Sequence, residues 1–200
     1  MSQSVHKPAN EKGISLLEVL VSIVILTVAM LGSALLAARL MNGQQQTKYM
    51  SLASTLASEK LEDLNRWSAN DPPVCVPTGN SSVGSLTTDV VQTTTCPAGA
   101  SDGVNYYDDV YLGATNGSFS ETISSVSGGS TVYTTTTHAP DGTVTSSTSP
   151  QPPQAPTFHR RWIIEMNAPV NGVRRVTVLV TLLNGSVQVP AQFQMSLVRP

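Results

Sequence analysis

The sequence predicts an α+β protein in which one long N-terminal helix, transmembrane in its first half and amphipathic in its second, packs on a C-terminal antiparallel β-sheet. Three observations predict it. The run Val19–Ala38 contains no charge and no proline. Beyond it Met50, Ala53, Ala57, Leu61 and Leu64 recur every three or four residues, the spacing of one helix face. Finally, residues 161–197 alternate apolar and polar side chains on either side of Asn184-Gly185.

The apolar run is the first element. About 20 such residues in a helix rise roughly 30 Å, the thickness of a bilayer's hydrocarbon core. A cleaved secretory signal is the alternative, because Gly32, Ser33, Ala34, Ala37 and Ala38 are small enough to form a cleavage site. The run exceeds the usual apolar length of such a signal, and the helical pattern continues through it, which favours a retained span. Lys7 and Lys12 place the N-terminus in the cytoplasm by the positive-inside rule.

The helix then continues. Lys48, Ser51, Thr55, Glu59, Glu62 and Arg66 form the polar face opposite the apolar stripe. No proline occurs from Ile14 to Trp67, and Pro72-Pro73 mark the far side of the helix end. The spacing predicts one helix of about 50 residues, roughly 80 Å long. Gly32 and Gly43 weaken it by about 1 kcal/mol each relative to alanine.

Residues 68–157 are rich in Ser, Thr, Gly and Pro. Short β-like pieces at 106–112, 119–126 and 131–137 have thin apolar content, which predicts peripheral hairpins and loops. The stretch 145–156, with four prolines, reads as a linker or an extended crossing. Residues 158–200 predict an antiparallel meander. Trp162, Ile164 and Met166 mark one strand, Val176, Val178, Val180 and Leu182 a second, and Val187, Val189, Ala191, Phe193, Met195 and Leu197 a third. A two-residue Asn184-Gly185 turn would set Leu182 opposite Val187, Val180 opposite Val189 and Val176 opposite Phe193.

Charged residues make up 12% of the chain and the formal net charge is −2, so bulk electrostatics give no reason to expect a nucleic-acid partner. Cys75 and Cys96 can pair in an oxidising compartment, closing a loop worth about 3 kcal/mol, or remain free thiols. Neither a CxxC pair nor a Cys/His set with zinc spacing occurs. Asp102, Asn105, Asp108 and Asp109 could offer oxygens to calcium, but their spacing is not that of an EF-hand and a solvated acidic turn is expected. Arg160-Arg161 and Arg174-Arg175 could meet as a basic patch for DNA, with a solvated sheet edge the plainer reading. His138 beside Asp141 lacks a nucleophile-elbow context and reads as a loop histidine. Phosphate loops, dinucleotide fingerprints and metalloprotease helices are not found, and no cofactor is expected.

Glu18 is the residue that needs an explanation. An ionised carboxylate inside a transmembrane helix costs several kcal/mol unless paired or protonated. One reading is an interfacial acid reaching back to headgroups. Lys12 lies six residues away and does not share its helix face. A chain cut after Gly13 would instead expose the α-amino group of Ile14, which could pair with Glu18 of a neighbouring copy.

The segment Lys12-Gly13-Ile14-Ser15-Leu16-Leu17-Glu18-Val19-Leu20 resembles the class III signal of type IV prepilins and pseudopilins. That resemblance implies a pilin-like fold and a boundary after a cytoplasmic leader at 1–13. The transmembrane half of the helix would be 14–38 and its amphipathic half 39–67. It also implies cleavage at Gly13-Ile14 by a membrane prepilin peptidase, N-methylation of Ile14, and Glu18 as an assembly carboxylate. Catalysis would belong to the peptidase, and this chain is not expected to be an enzyme. Implied partners are the peptidase, other major and minor pilins, the inner-membrane assembly platform and membrane lipid. The expected location is the inner membrane with a periplasmic C-terminal domain, or the assembled pilus at the cell surface. The segments 18–22 and 52–65 look most like the PilV family of minor pilins. Three departures from major pilins point the same way: Ile14 in place of phenylalanine, Leu35 in place of a kinking proline, and mid-chain cysteines. The alternatives are a type II secretion pseudopilin, or a tip subunit binding DNA or a surface.

Overall fold

A computed structural model describes residues 15–93, 103–113, 117–153, 156–183 and 192–199. The chain divides into two units, residues 1–44 and 45–200, and helix α1 (Leu16–Arg66) supplies residues to both.

In the first unit the described residues of α1 bury nothing: Leu16, Ile25, Leu31 and Leu35 are all exposed, as are their apolar neighbours. The helix is long and apolar enough to cross a bilayer. Its hydroxyls are satisfied locally, as apolar surroundings require. Ser22 Oγ donates to the Glu18 carbonyl at 2.7 Å, Thr27 Oγ1 to Val24 at 2.8 Å and Ser33 Oγ to Ala29 at 2.9 Å.

Among the described residues the second unit is built on an antiparallel sheet of eight strands. Seven run in the spatial order β10 (Gln192–Arg199), β9 (Arg174–Leu182), β8 (Phe158–Met166), β4 (Tyr107–Leu112), β5 (Phe119–Ser127), β6 (Ser130–His138), β7 (Val144–Ser149). β1 (Ser82–Gly84) pairs with the second half of β8, and β2 (Val91–Thr93) with β3 (Gly103–Asn105) forms a separate ribbon. The core forms where the apolar stripe of α1 meets one face of β8 and β9. Ala53, Ala57, Leu61 and Leu64 are buried with Phe158, Trp162, Ile164, Val176, Val178, Val180 and Leu182. Ala53 and Ala57, both wholly enclosed, are the residues that let the helix backbone approach the sheet closely. Gly84 does the same for β1. Its φ is +80°, and a Cβ there would lie 2.3 Å from the Trp162 carbonyl oxygen.

The meander strands form as the alternation predicts, but the β9–β10 register differs. Phe193 sits opposite Val180, and Leu197 opposite Val176, so β10 is displaced by four residues from the two-residue-turn register. An even displacement leaves every side chain on its face, so apolar alternation cannot choose between the two registers. The Asn184-Gly185 turn itself, with Val187 and Val189, lies outside the described residues. The middle of the chain also differs from the expected peripheral hairpins. β4 to β7 extend the same sheet, and β7 occupies part of the stretch read as a linker. Thin apolar content misled because hydroxyls do the cross-strand pairing there: Ser120–Thr137 at 2.7 Å and Thr122–Thr135 at 2.9 Å.

Candidate functional site

Two places hold the chemistry worth weighing: the start of α1 and the charged side chains between α1 and the sheet. Glu18 sits in the first turn of α1, where its amide donates to the Ser15 carbonyl at 2.9 Å and its charge complements the helix dipole. With Val19, Ser22, Ile23 and Leu26 it lines one shallow groove along the helix surface. Gly13 and Ile14 lie outside the described residues, as does Cys96; Cys75 is 3% exposed, just beyond the end of α1.

The second place joins residues that the sequence reads as solvated. Asp108 and Arg160, expected in a solvated turn and at a solvated edge, are 0% and 1% exposed. Arg160 Nε and Nη2 grip the two Asp108 oxygens at 2.7 Å each, and its Nη1 reaches the Leu56 carbonyl of α1 at 3.4 Å. Arg160 also pairs with Glu121 on β5. From α1, Lys60 Nζ approaches Asp108 at 3.1 Å and Glu121 at 3.6 Å, lying 4.5 Å over the Trp162 ring. His138, expected in a loop, ends β6, bonds Glu121 at 2.9 Å and stacks on Phe119. Burial opposes ionisation of Asp108, but Arg160 and Lys60 outweigh it and hold the carboxyl well below its usual range. Burial likewise opposes the Arg160 charge, and Asp108 and Glu121 outweigh it. The Glu59 carboxyl, half-buried beside them, is pushed up by desolvation.

A cavity of about 330 Å³ opens beside this cluster, lined by Glu59, Lys60, Asp63, Glu121, His138 and Arg160 among others. The cations Lys60 and Arg160 in its lining are already held by acids. The arrangement holds α1 on the sheet. A sequence signal did exist. Arg160 falls on the inward parity of β8, between Phe158 and Trp162, and Asp108 falls between buried Tyr106 and Val110. Lys60 lies beside the apolar stripe, next to Leu61.

On the opposite sheet face His159 Nδ1 meets Asp109 at 2.6 Å and its Nε2 meets Asp89 at 2.9 Å. A neutral imidazole can donate from only one nitrogen, so this pairing fits the imidazolium. Burial pulls the His159 pKa down, but the hydrogen bonds to Asp109 and Asp89 outweigh it and the pKa is raised. Arg161 Nε also binds Asp89, at 2.7 Å, and Arg175 forks onto Glu165 at 2.7 and 2.9 Å. The basic patch considered for DNA is therefore not formed: Arg160 and Arg174 are buried, and Arg161 and Arg175 are neutralised by acids. The calcium reading fares no better. Asp108 faces the core and Asp109 the other sheet face, while Asp102 lies outside the described residues. Among the described residues no three His, Cys, Asp or Glu side chains converge as a metal site.

Comparison with known proteins bears on the first place. Residues 8–34 match the family model described as the prokaryotic N-terminal methylation motif, a span that includes Gly13, Ile14 and Glu18. Searches of curated proteins and of solved structures returned no match. The matched motif, the first-turn glutamate and the apolar helix that follows together make this a type IV prepilin-like N-terminus on an α+β chain.

Proposed function

We propose that this chain is a minor type IV pilin of the PilV kind, a structural subunit that helps to prime or assemble the filament. Prepilin peptidase cuts between Gly13 and Ile14 and methylates Ile14. The shortened chain rests in the inner membrane by α1, with residues 45–200 in the periplasm, until the assembly platform extracts it into a bundle of other pilins. The observation that carries this reading is the methylation motif at residues 8–34 running into a helix whose apolar side chains from Leu16 to Met41 are exposed among the described residues. An exposed apolar helix needs lipid first and neighbouring helices afterwards, and both surroundings are apolar. Glu18 is tolerated because cleavage creates a cation, the Ile14 amine, that a neighbouring copy's carboxylate can neutralise.

The oxidising periplasm permits a Cys75–Cys96 disulfide, which we include in the proposal. Cys75 is buried, and no free thiol occurs among the described residues. A type II secretion pseudopilin shares this N-terminal logic, and the long hydroxyl-rich extension β4 to β7 favours the pilus reading.

N-terminal sequencing of the cell-associated protein tests the proposal. The expected terminus is N-methylated Ile14, with Glu18→Gln processed normally but absent from sheared filaments. A terminus at Met1, or beyond Ala38, would end the prepilin reading. Normal incorporation of Glu18→Gln would remove the charge-docking step.

A further inference from the structure

Among the described residues, the buried and half-buried cations of the domain are held by carboxylates, with one exception. Lys60, Arg160, His159, Arg161 and Arg175 all have acidic partners. Arg174, at the start of β9, is 6% exposed, and among the described residues it has neither an ion pair nor a hydrogen bond. Its Nη1 is enclosed and unpartnered. Leaving a buried guanidinium unpaired is costly, which is why such groups are normally matched.

A second observation sharpens the anomaly. The β9–β10 register sets Arg174 directly opposite Arg199, and like charges facing each other across a ladder are destabilising. Arg199 spends one nitrogen on the end of α1, where Nη1 donates to the Asn65 carbonyl at 2.8 Å and reaches the Trp67 carbonyl at 3.4 Å. The negative end of the helix dipole offsets part of one charge. Burial and the neighbouring Arg199 both lower the Arg174 pKa, the direction expected of a cation without an acid.

We propose that Arg174 and Arg199 form an oxyanion site that receives the carboxylate of an acidic side chain from a neighbouring protein chain. The planar guanidinium fork matches a carboxylate in two-point geometry. The surroundings select a protein source over a free ion. Trp67, 43% exposed, adjoins Arg199 through its carbonyl, and Leu197, 37% exposed, lies two residues back on the same strand face. An apolar rim has no use to a hydrated anion. Exposed tryptophan beside arginine is instead the composition concentrated at the centres of protein interfaces. The site is built from residues of the second unit and is independent of N-terminal processing.

Thermal unfolding of the full-length protein in detergent tests the site, at fixed ionic strength set with chloride. The probes are acetyl-Ala-Glu-Ala-amide, its glutamine counterpart and inorganic phosphate. The Glu peptide is expected to raise the unfolding midpoint with dose, and the Gln peptide to leave it unchanged. Arg174→Met should abolish the response, and Arg199→Gln, at the exposed rim, should weaken it. Without any peptide Arg174→Met should unfold at the same or a higher temperature, because it removes an unmatched buried charge. A lower midpoint for that variant would show that the guanidinium is already satisfied within the chain, and would overturn the proposal. Equal responses to the two peptides, or a Glu response retained in Arg174→Met, would also overturn it. Stabilisation by phosphate at a tenfold lower concentration than the Glu peptide would assign the site to a free anion and refute the protein partner.

Discussion

Replacing Asp108 by asparagine removes one charge from the centre of the α1–sheet interface at constant volume. Asp108 accepts two 2.7 Å bonds from Arg160 and faces Lys60 at 3.1 Å, with no exposure to solvent. Asparagine can accept from only one side of the guanidinium fork, and its amide places two donors where cations already stand. Breaking a buried pair by removing one partner costs about 3–5 kcal/mol, because the other charge is left behind. Glu121 still contacts Arg160 and Lys60, so the lower end, about 3 kcal/mol, is expected. In a domain of this size that lowers the thermal midpoint by roughly 6–12 °C. Urea unfolding followed by circular dichroism and tryptophan fluorescence measures it, and Trp162 under Lys60 reports from the site itself. The pH dependence gives an independent check. A carboxyl whose pKa is depressed in the folded state contributes stability that is present above its unfolded value, about 3.8, and lost as pH falls through the folded value. The gap between wild type and Asp108→Asn should therefore hold from pH 7 to about 4 and close only in stronger acid. A loss below about 1 kcal/mol at pH 7 would refute the reasoning, as would a gap that closes by pH 5.5.

Three further outcomes follow from the same geometry. His159, whose pKa is raised in the folded state, contributes stability that is complete below about 6.5 and lost as pH rises through the folded value. Chemical denaturation of wild type and His159→Gln should thus differ at pH 6, by about 1 kcal/mol, and converge in alkali. Gly84→Ala combines a positive φ with a Cβ 2.3 Å from the Trp162 oxygen, so urea titration should show a loss of roughly 2–5 kcal/mol. Ala57→Leu forces a larger side chain between α1 and the sheet at a fully enclosed position, and should lower stability by about 1–3 kcal/mol in the same assay.

How much could be read in advance depended on the range of the signal. The apolar run, the amphipathic stripe and the Gly13–Glu18 segment are local patterns, and each stood in the sequence complete. Strand parity is local too, so the inward residues of β8 and β9 were legible from alternation alone. Arg160 lay on that inward parity, yet reading it as buried required knowing that Asp108, 52 residues away, lies beside it. Without a partner, a buried arginine is the less plausible reading, and the solvated edge was preferred. The same holds for His159, whose acids come from a loop and from β4, 70 and 50 residues away.

The sequence by itself therefore determined the apolar run, the helix that continues from it, the α+β class and the prepilin-like segment from Lys12 to Leu20, because each depends on spacing along one element. Tertiary structure alone decided the β9–β10 register, the extension of the sheet through β4 to β7, and the fate of the four arginines. Two registers four residues apart bury the same apolar set, and a charge acquires its environment only when distant strands are brought side by side. That is why Arg160 is matched and buried while Arg174, with the same side chain, is buried without an acid to meet it among the described residues.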